Sequence, residues 1–186
     1  MRHADFPTLC DALDYAAQCG TGFNFFDGKA RLKSTMPYAE MRERAMDVAH
    51  RLVPLGRKGA RVGICAVTSP DFVVLFFACQ YAGLVPAPLP LPVTLGGRSS
   101  YERQLQRMTD TGDFAALLCP ESMEPIISSA LNDFKVPVLT FEAAMELPKG
   151  AKLRPFGADD LCYIQRSEGT RLNSSHFTQS RMPSSA

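Results

Sequence analysis

At 186 residues, with 46% hydrophobic and 21% charged side chains, the chain has the length and composition of one globular domain with a real core, which excludes wholesale disorder. A formal net charge of +1 gives no electrostatic footprint for nucleic acid or an anionic membrane. It still leaves room for ATP, because phosphates are usually held by local backbone N–H groups and one or two cations.

The six cysteines (Cys10, Cys19, Cys65, Cys79, Cys119 and Cys162) form no C-x-x-C pair, and most have apolar neighbours. They read as reduced core thiols rather than a metal site or disulfide framework, and they favour a reducing, cytoplasmic compartment. Met1 to Pro7 has no apolar run behind a basic start, so no signal peptide is expected.

Thr8 to Cys19 carries Leu9, Leu13, Ala16 and Ala17 at helical spacing, with Gly20 as the expected C-cap. Phe23–Phe26 reads as a strand, Asp27-Gly28 as a hairpin turn, and Ala30–Lys33 as the returning strand. Tyr38–Leu55 is an amphipathic helix with Tyr38, Met41, Ala45, Val48, Leu52 and Leu55 on one face, ended by Gly56. Ala60–Val67 suits a buried parallel strand. Ser69-Pro70-Asp71 is a helix start, with a hydroxyl cap, a proline at the first helical position and an acid in the first turn. The helix it opens, Phe72–Tyr81, is apolar nearly all round and is expected to be buried on most sides.

The nearly uncharged run from Phe72 to Val93 is long enough on paper to span a bilayer. Pro86, Pro88, Pro90 and Pro92 exclude a continuous helix there, so a helix followed by a strand, Leu84–Leu89, is expected and a membrane span is not. Gly96-Gly97 then precedes a helix over Ser99–Thr109. Phe114–Cys119 reads as a strand, Glu121–Leu131 as a helix, Val136–Phe141 as a strand and Leu161–Gln165 as the last strand. This alternation predicts an α/β fold, a mostly parallel sheet flanked by helices and preceded by a small β-hairpin. In such sheets ligands sit beyond the carboxyl ends of the strands, so the segment after Gln165 is the place to look.

That segment, 166–186, resembles the conceptual translation of a short-read sequencing adaptor: R-S-E, then T-R-L-N-S-S-H, a three-residue window and S-R-M-P-S-S-A. It is read as a non-native, unstructured tail and set aside from functional argument. Elsewhere no catalytic constellation stands out. His3 and His50 are isolated, His176 lies in the tail, and Gly96-Gly97-Arg98 reads as a loop-to-helix joint rather than a phosphate site. No catalytic, cofactor-binding or metal residue is assigned.

Four segments in order carry a family resemblance. Residues 37–41 (PYAEM) resemble the first core motif of adenylate-forming enzymes, T/S-Y-x-E-L. Residues 62–67 (VGICAV) with Ser69-Pro70-Asp71-Phe72 are similar to their strand-then-helix segment. Residues 81–88 (YAGLVPAP) resemble the second core motif, and residues 160–165 (DLCYIQ) the strand entering the third. Pro88 to Pro92, Gly96-Gly97-Arg98 and Tyr101-x-x-Gln104-Leu105 are similar to fatty-acyl-AMP ligases within that superfamily. Pro37 departs from the pattern, because it lacks the hydroxyl that caps the following helix, a loss of about 1 kcal/mol.

The resemblance implies that residues 1–165 are the N-terminal part of an AMP-binding (adenylation) domain, interrupted just before its phosphate-binding loop. The intact enzyme would activate a fatty acid as acyl-adenylate with release of pyrophosphate, using ATP and Mg²⁺, and pass the acyl group to an acyl carrier protein. This chain by itself is expected to be inactive. The helix Phe72–Tyr81, or the strand after it, is expected to contribute wall to an acyl tunnel. The competing reading is a free-standing, non-catalytic α/β module that binds an acyl or nucleotide ligand.

Overall fold

The computed structural model describes residues 5–92, 97–150, 152–165 and 178–180. Helix α1 (Leu9–Ala16) begins where the Thr8 hydroxyl accepts the Asp11 amide at 3.1 Å. It is capped by the amide of Ala17 rather than running on to Gly20. Strands β1 (Gly22–Phe26) and β2 (Leu32–Pro37) form the expected hairpin, but its turn is not the two-residue Asp27-Gly28 type. The Asp27 carboxylate accepts the amides of Lys29 (2.8 Å) and Arg31 (3.0 Å) and the Arg31 guanidinium. This stabilises a five-residue loop with Ala30 in the left-handed region. The loop delays the second strand to Leu32 and lets it run on to Pro37.

Helix α2 (Tyr38–Leu52) continues as a 3-10 turn over Val53–Leu55, so the expected helix is present with a tightened end. Pro37 makes no side-chain cap; instead the Tyr38 amide donates to the Thr21 carbonyl at 3.0 Å, pairing one orphan donor through the neighbouring chain. Strand β3 (Arg61–Cys65) leads to helix α3 (Pro70–Ala82), whose Ser69 hydroxyl accepts the Phe72 amide at 3.2 Å. Gly83, at φ +71, closes α3 and turns the chain into strand β4 (Val85–Leu89). Helix α4 (Gly97–Gly112), strand β5 (Phe114–Cys119), a 3-10 turn over Glu121–Met123 and helix α5 (Glu124–Ala130) follow.

Strand β6 is only Val138–Thr140, shorter than the Val136–Phe141 expected. The Thr140 hydroxyl accepts the Ala143 amide and opens helix α6 (Phe141–Glu146). Periodicity does not reveal α6, because six residues fall short of the window in which a helical repeat is visible.

The sheet is four-stranded and parallel throughout, in the order β4-β3-β5-β6. Helices α1, α2, α3 and α6 and the hairpin cover one face, meeting Val62, Ile64 and Leu118 of the sheet. Helices α4 and α5 cover the other, against Cys65, Val85, Ala87, Leu89, Leu117 and Cys119. A strand buried on both faces is why β3 and β5 are continuous apolar runs. Helix α3 packs on α2 along its length and on β3 and β4, which accounts for its all-round apolar sequence. At Gly63 a Cβ would meet Leu89 Cδ1 at 2.9 Å and Leu117 Cγ at 3.2 Å, so the missing side chain lets leucines of both neighbouring strands close over β3.

Strand β7 (Tyr163–Gln165) lies beside β4 but is not hydrogen-bonded into the parallel sheet; it pairs antiparallel with β8 (Thr178–Ser180). The rest of 166–186, like His3, lies outside the described residues. No helix among the described residues is long and apolar enough to cross a membrane, in keeping with the break that the prolines impose after Phe72–Tyr81.

Candidate functional site

Three chain segments meet at the carboxyl end of the sheet, where the topology predicts a ligand. Helix α3 starts there because β3 has just ended. Pro88 stands one residue before the end of β4, and Gln165 ends β7. Between them is a cleft of about 310 Å³, lined by Phe72, Val73, Phe76, Pro88, Tyr163 and Gln165.

The lining is an aromatic wall with little polar decoration. Phe72 and Phe76, one turn apart, have ring centroids 6.3 Å apart. Phe76 meets Tyr163 edge-on at 5.8 Å and 61°, an arrangement that adds about 0.5–1.5 kcal/mol to simple burial. Among the described residues no acid, lysine, arginine or histidine lines the cleft; its polar side chains there are the Tyr163 phenol and the Gln165 amide. Such a surface takes an apolar chain, each buried methylene being worth about 0.8 kcal/mol, and offers no acid–base pair.

Polar groups hold the surroundings together instead. Lys58 Nζ lies 2.7 Å from Asp160, whose carboxylate also accepts the Gly157 amide; these contacts hold the Asp160 carboxyl below its usual range. The Arg154 guanidinium donates to the carbonyls of Val53 (3.0 Å) and Gly56 (2.7 Å), covering the carboxyl end of the α2 segment. Asp14 accepts both Arg42 (2.6 Å) and the Tyr81 hydroxyl (2.5 Å), clamping α1 onto α2 and α3. Burial, reinforced by Asp14, pushes the Tyr81 phenol well up.

The cysteines occupy the places their neighbours predicted, with Cys19 the exposed exception. Cys10, Cys65, Cys79, Cys119 and Cys162 are buried, and none of the six is in a disulfide among the described residues. Burial pushes Cys10, Cys65 and Cys119 up to about 12, which keeps these thiols protonated and unreactive at neutral pH. Gly97 opens α4, and Arg98 pairs with Glu102 on the exposed face of that helix at 2.6 Å, so the Gly97-Arg98 joint serves the helix start. His50 accepts the Gly150 amide through its backbone carbonyl and is not among the residues that line the cleft. Among the described residues no three acids, histidines or cysteines gather where a metal could be held.

Two residues of this region escape sequence reasoning. Tyr163 looks like any strand aromatic. Gln80 is a lone amide in an otherwise apolar stretch, which is the signal that would have marked it. In the structure it is 1% exposed, and its Nε2 donates to the Cys162 carbonyl at 2.5 Å.

Comparison with known proteins locates the fold among a set of relatives. The family model of AMP-binding enzymes matches residues 23–170. A candidate acyl-CoA synthetase of Caulobacter vibrioides is 38% identical over 171 residues, 91% of this chain and 30% of that protein. A solved structure from work on fatty acyl-adenylate ligases of E. coli and L. pneumophila shares 40% identity with a TM-score of 0.86, covering 91% of this chain and 31% of that one. An adenylation domain of a keto acid-selecting NRPS module, bound to keto acyl adenylate, is 21% identical with a TM-score of 0.72, covering 87% and 31% respectively, and shows the shared fold. The chain spans about 30% of the length of the first two of these relatives. The family generally uses ATP and Mg²⁺, and the apolar lining of this cleft does not fit either group.

Proposed function

Since this chain belongs to the AMP-binding enzyme family, we propose that the complete protein activates a fatty acid: its carboxylate displaces pyrophosphate from ATP to give an acyl-adenylate, and the acyl group then passes to a carrier protein. The observation that carries this reading is the 40% identity and TM-score of 0.86 to the structure from fatty acyl-adenylate ligase work, sustained over 91% of the chain. The aromatic cleft supports it from the chemical side, as a surface able to take part of an aliphatic chain.

In this proposal residues 1–165 are the N-terminal part of the adenylation domain, and the phosphate-binding loop belongs directly after Gln165. A foreign sequence replaces it within 166–186, although the family match itself runs on to residue 170. The chain therefore contributes scaffold and acyl-chain wall, while ATP and Mg²⁺ are held by residues outside it. Six cysteines outside any disulfide support a cytoplasmic location.

Pyrophosphate exchange into ATP, measured with a series of fatty acids of graded length, tests the proposal. The complete protein is expected to exchange with fatty acids and to acylate a carrier protein in preference to coenzyme A. Absence of fatty-acid-dependent exchange in the complete protein refutes the functional reading. Robust exchange by the 186-residue chain itself refutes the assignment of the missing loop.

A further inference from the structure

Strand β7 ends where the chain must deliver its ligand-binding segment, yet the sheet does little to hold it. In β4 the Val85 amide donates to Ala60 and the Leu89 carbonyl accepts from Ala66, so Val85, Ala87 and Leu89 present their amide edges to β3. Pro86 and Pro88 therefore face the outer edge, beside which β7 lies, and neither has an N–H to donate. That edge of β4 offers β7 carbonyl oxygens but no donors at these positions, and β7 forms no ladder with it. Backbone pairing with the parallel sheet thus leaves the register of β7 undetermined. A slip of one residue, about 3.3 Å, would bring Ile164, buried in the core on the other face, to the cleft in place of Tyr163 or Gln165.

The structure supplies what the ladder lacks from one face of α3. Phe72, Phe76 and Gln80 recur at four-residue spacing: the first two line the cleft, Phe76 engages Tyr163, and Gln80 donates to Cys162, the residue before β7. An interior amide bonded to a backbone carbonyl defines one position along the strand, whereas apolar contact tolerates sliding. We infer that Gln80 is a positioning residue, which sets the register of Tyr163–Gln165 against α3 and so the point from which the chain enters the ligand site. Its consequence for adenylate formation rests on the functional reading above; its structural content does not.

The test has two arms. In the first, amide hydrogen exchange is followed in the 186-residue chain for wild type, Gln80→Leu and Gln80→Glu, corrected for intrinsic rates. The leucine variant is expected to accelerate exchange over residues 161–165 at least tenfold while β3 and β5 are unchanged. In the glutamate variant a protonated carboxyl can donate to the Cys162 carbonyl and an ionised one cannot. Protection at 161–165 is therefore expected at low pH and lost as the new carboxyl titrates, a dependence absent from wild type.

Equal exchange in wild type and the leucine variant, or acceleration spread evenly over the sheet, overturns the inference. Should the leucine variant fail to fold, glutamate-variant protection that ignores its carboxyl titration overturns it. In the second arm, the complete protein carrying Gln80→Leu is expected to lose tenfold or more in kcat/KM for ATP at a temperature where its circular dichroism is native. An unchanged value overturns the link to catalysis. Absence of exchange in the wild-type complete protein refutes the functional reading and leaves the first arm standing.

Discussion

The four-stranded sheet and the short strand β7 lie side by side and are held by different forces. In β4-β3-β5-β6 every neighbour is joined by a parallel ladder, and leucines such as Leu117 and Leu118 are wholly buried between two helical layers. The segment from Lys152 to Gln165 is attached by one backbone bond, from the Arg154 amide to the Tyr81 carbonyl at 3.2 Å, and otherwise by side chains: Arg154 on the Val53 and Gly56 carbonyls, Asp160 on Lys58, and Gln80 on Cys162. A ladder distributes its energy over many equivalent bonds and resists any single change. Side-chain tethers concentrate it, so each can be removed singly, and the segment nearest the ligand end depends on a few identifiable groups.

The contrast can be broken most forcefully from the sheet side. Leu117→Ala, at a fully buried position, is expected to cost about 2–5 kcal/mol, read as a lower urea midpoint for the whole chain. Gly83→Ala strikes the junction of the two regions, because φ is +71 and a Cβ would stand 2.3 Å from the Arg154 carbonyl oxygen. It should cost about 2–3 kcal/mol by the same melt. Arg154→Met leaves two carbonyls without this donor but also removes an Nε that is buried without a partner. A net loss of about 1–2 kcal/mol is expected, with proteolytic cleavage concentrated after Lys152 and no change in exchange over β3 and β5; cleavage spread over the sheet would erase the distinction.

The smallest effect concerns Asp160. Its carboxyl lies below the ordinary range because Lys58, and secondarily the Gly157 amide, favour the ionised form. The folded chain therefore binds this proton less readily than the unfolded one, so the pair contributes stability above about pH 4 that is lost as pH falls through the folded value. Both side chains are more than a third exposed, so solvent screening limits the contribution to under about 1 kcal/mol. Asp160→Asn should be slightly less stable than wild type at neutral pH, and the difference should shrink steadily as pH falls below about 4 through the folded value. A difference that does not change with pH in this range would show that the pair is not its source.

Much of the scaffold is legible in particular residues. Ser69-Pro70-Asp71 announces α3, and Gly83 announces its end, because the cap hydroxyl, the proline ring and the left-handed glycine act locally. The apolar runs of β3 and β5 announce strands covered on both faces, and the outer prolines of β4 exclude a membrane helix. The hairpin is legible as a hairpin, while its loop is not: Asp27 gathers two amides and Arg31 at once, and that choice is made by side-chain chemistry across five residues. Helix α6 escapes because one capped turn has no periodicity. A wall from Phe72–Tyr81 or the strand after it is expected only through the family resemblance; that Phe72, Phe76, Pro88 and Tyr163 meet escapes, because they come from three separate segments and nothing in their spacing says so.

The sequence by itself determined the class of fold and the family, since periodicity, caps and ordered motifs are properties of neighbouring residues. Tertiary structure alone decided that β7 stands outside the parallel ladder, that an aromatic cleft opens at the carboxyl ends of the strands, and that Gln80 reaches Cys162 across 82 positions. The physical reason is that such contacts depend on how separately stable segments pack. Packing is set by the shapes and unpaired polar groups that those segments present only after they have formed.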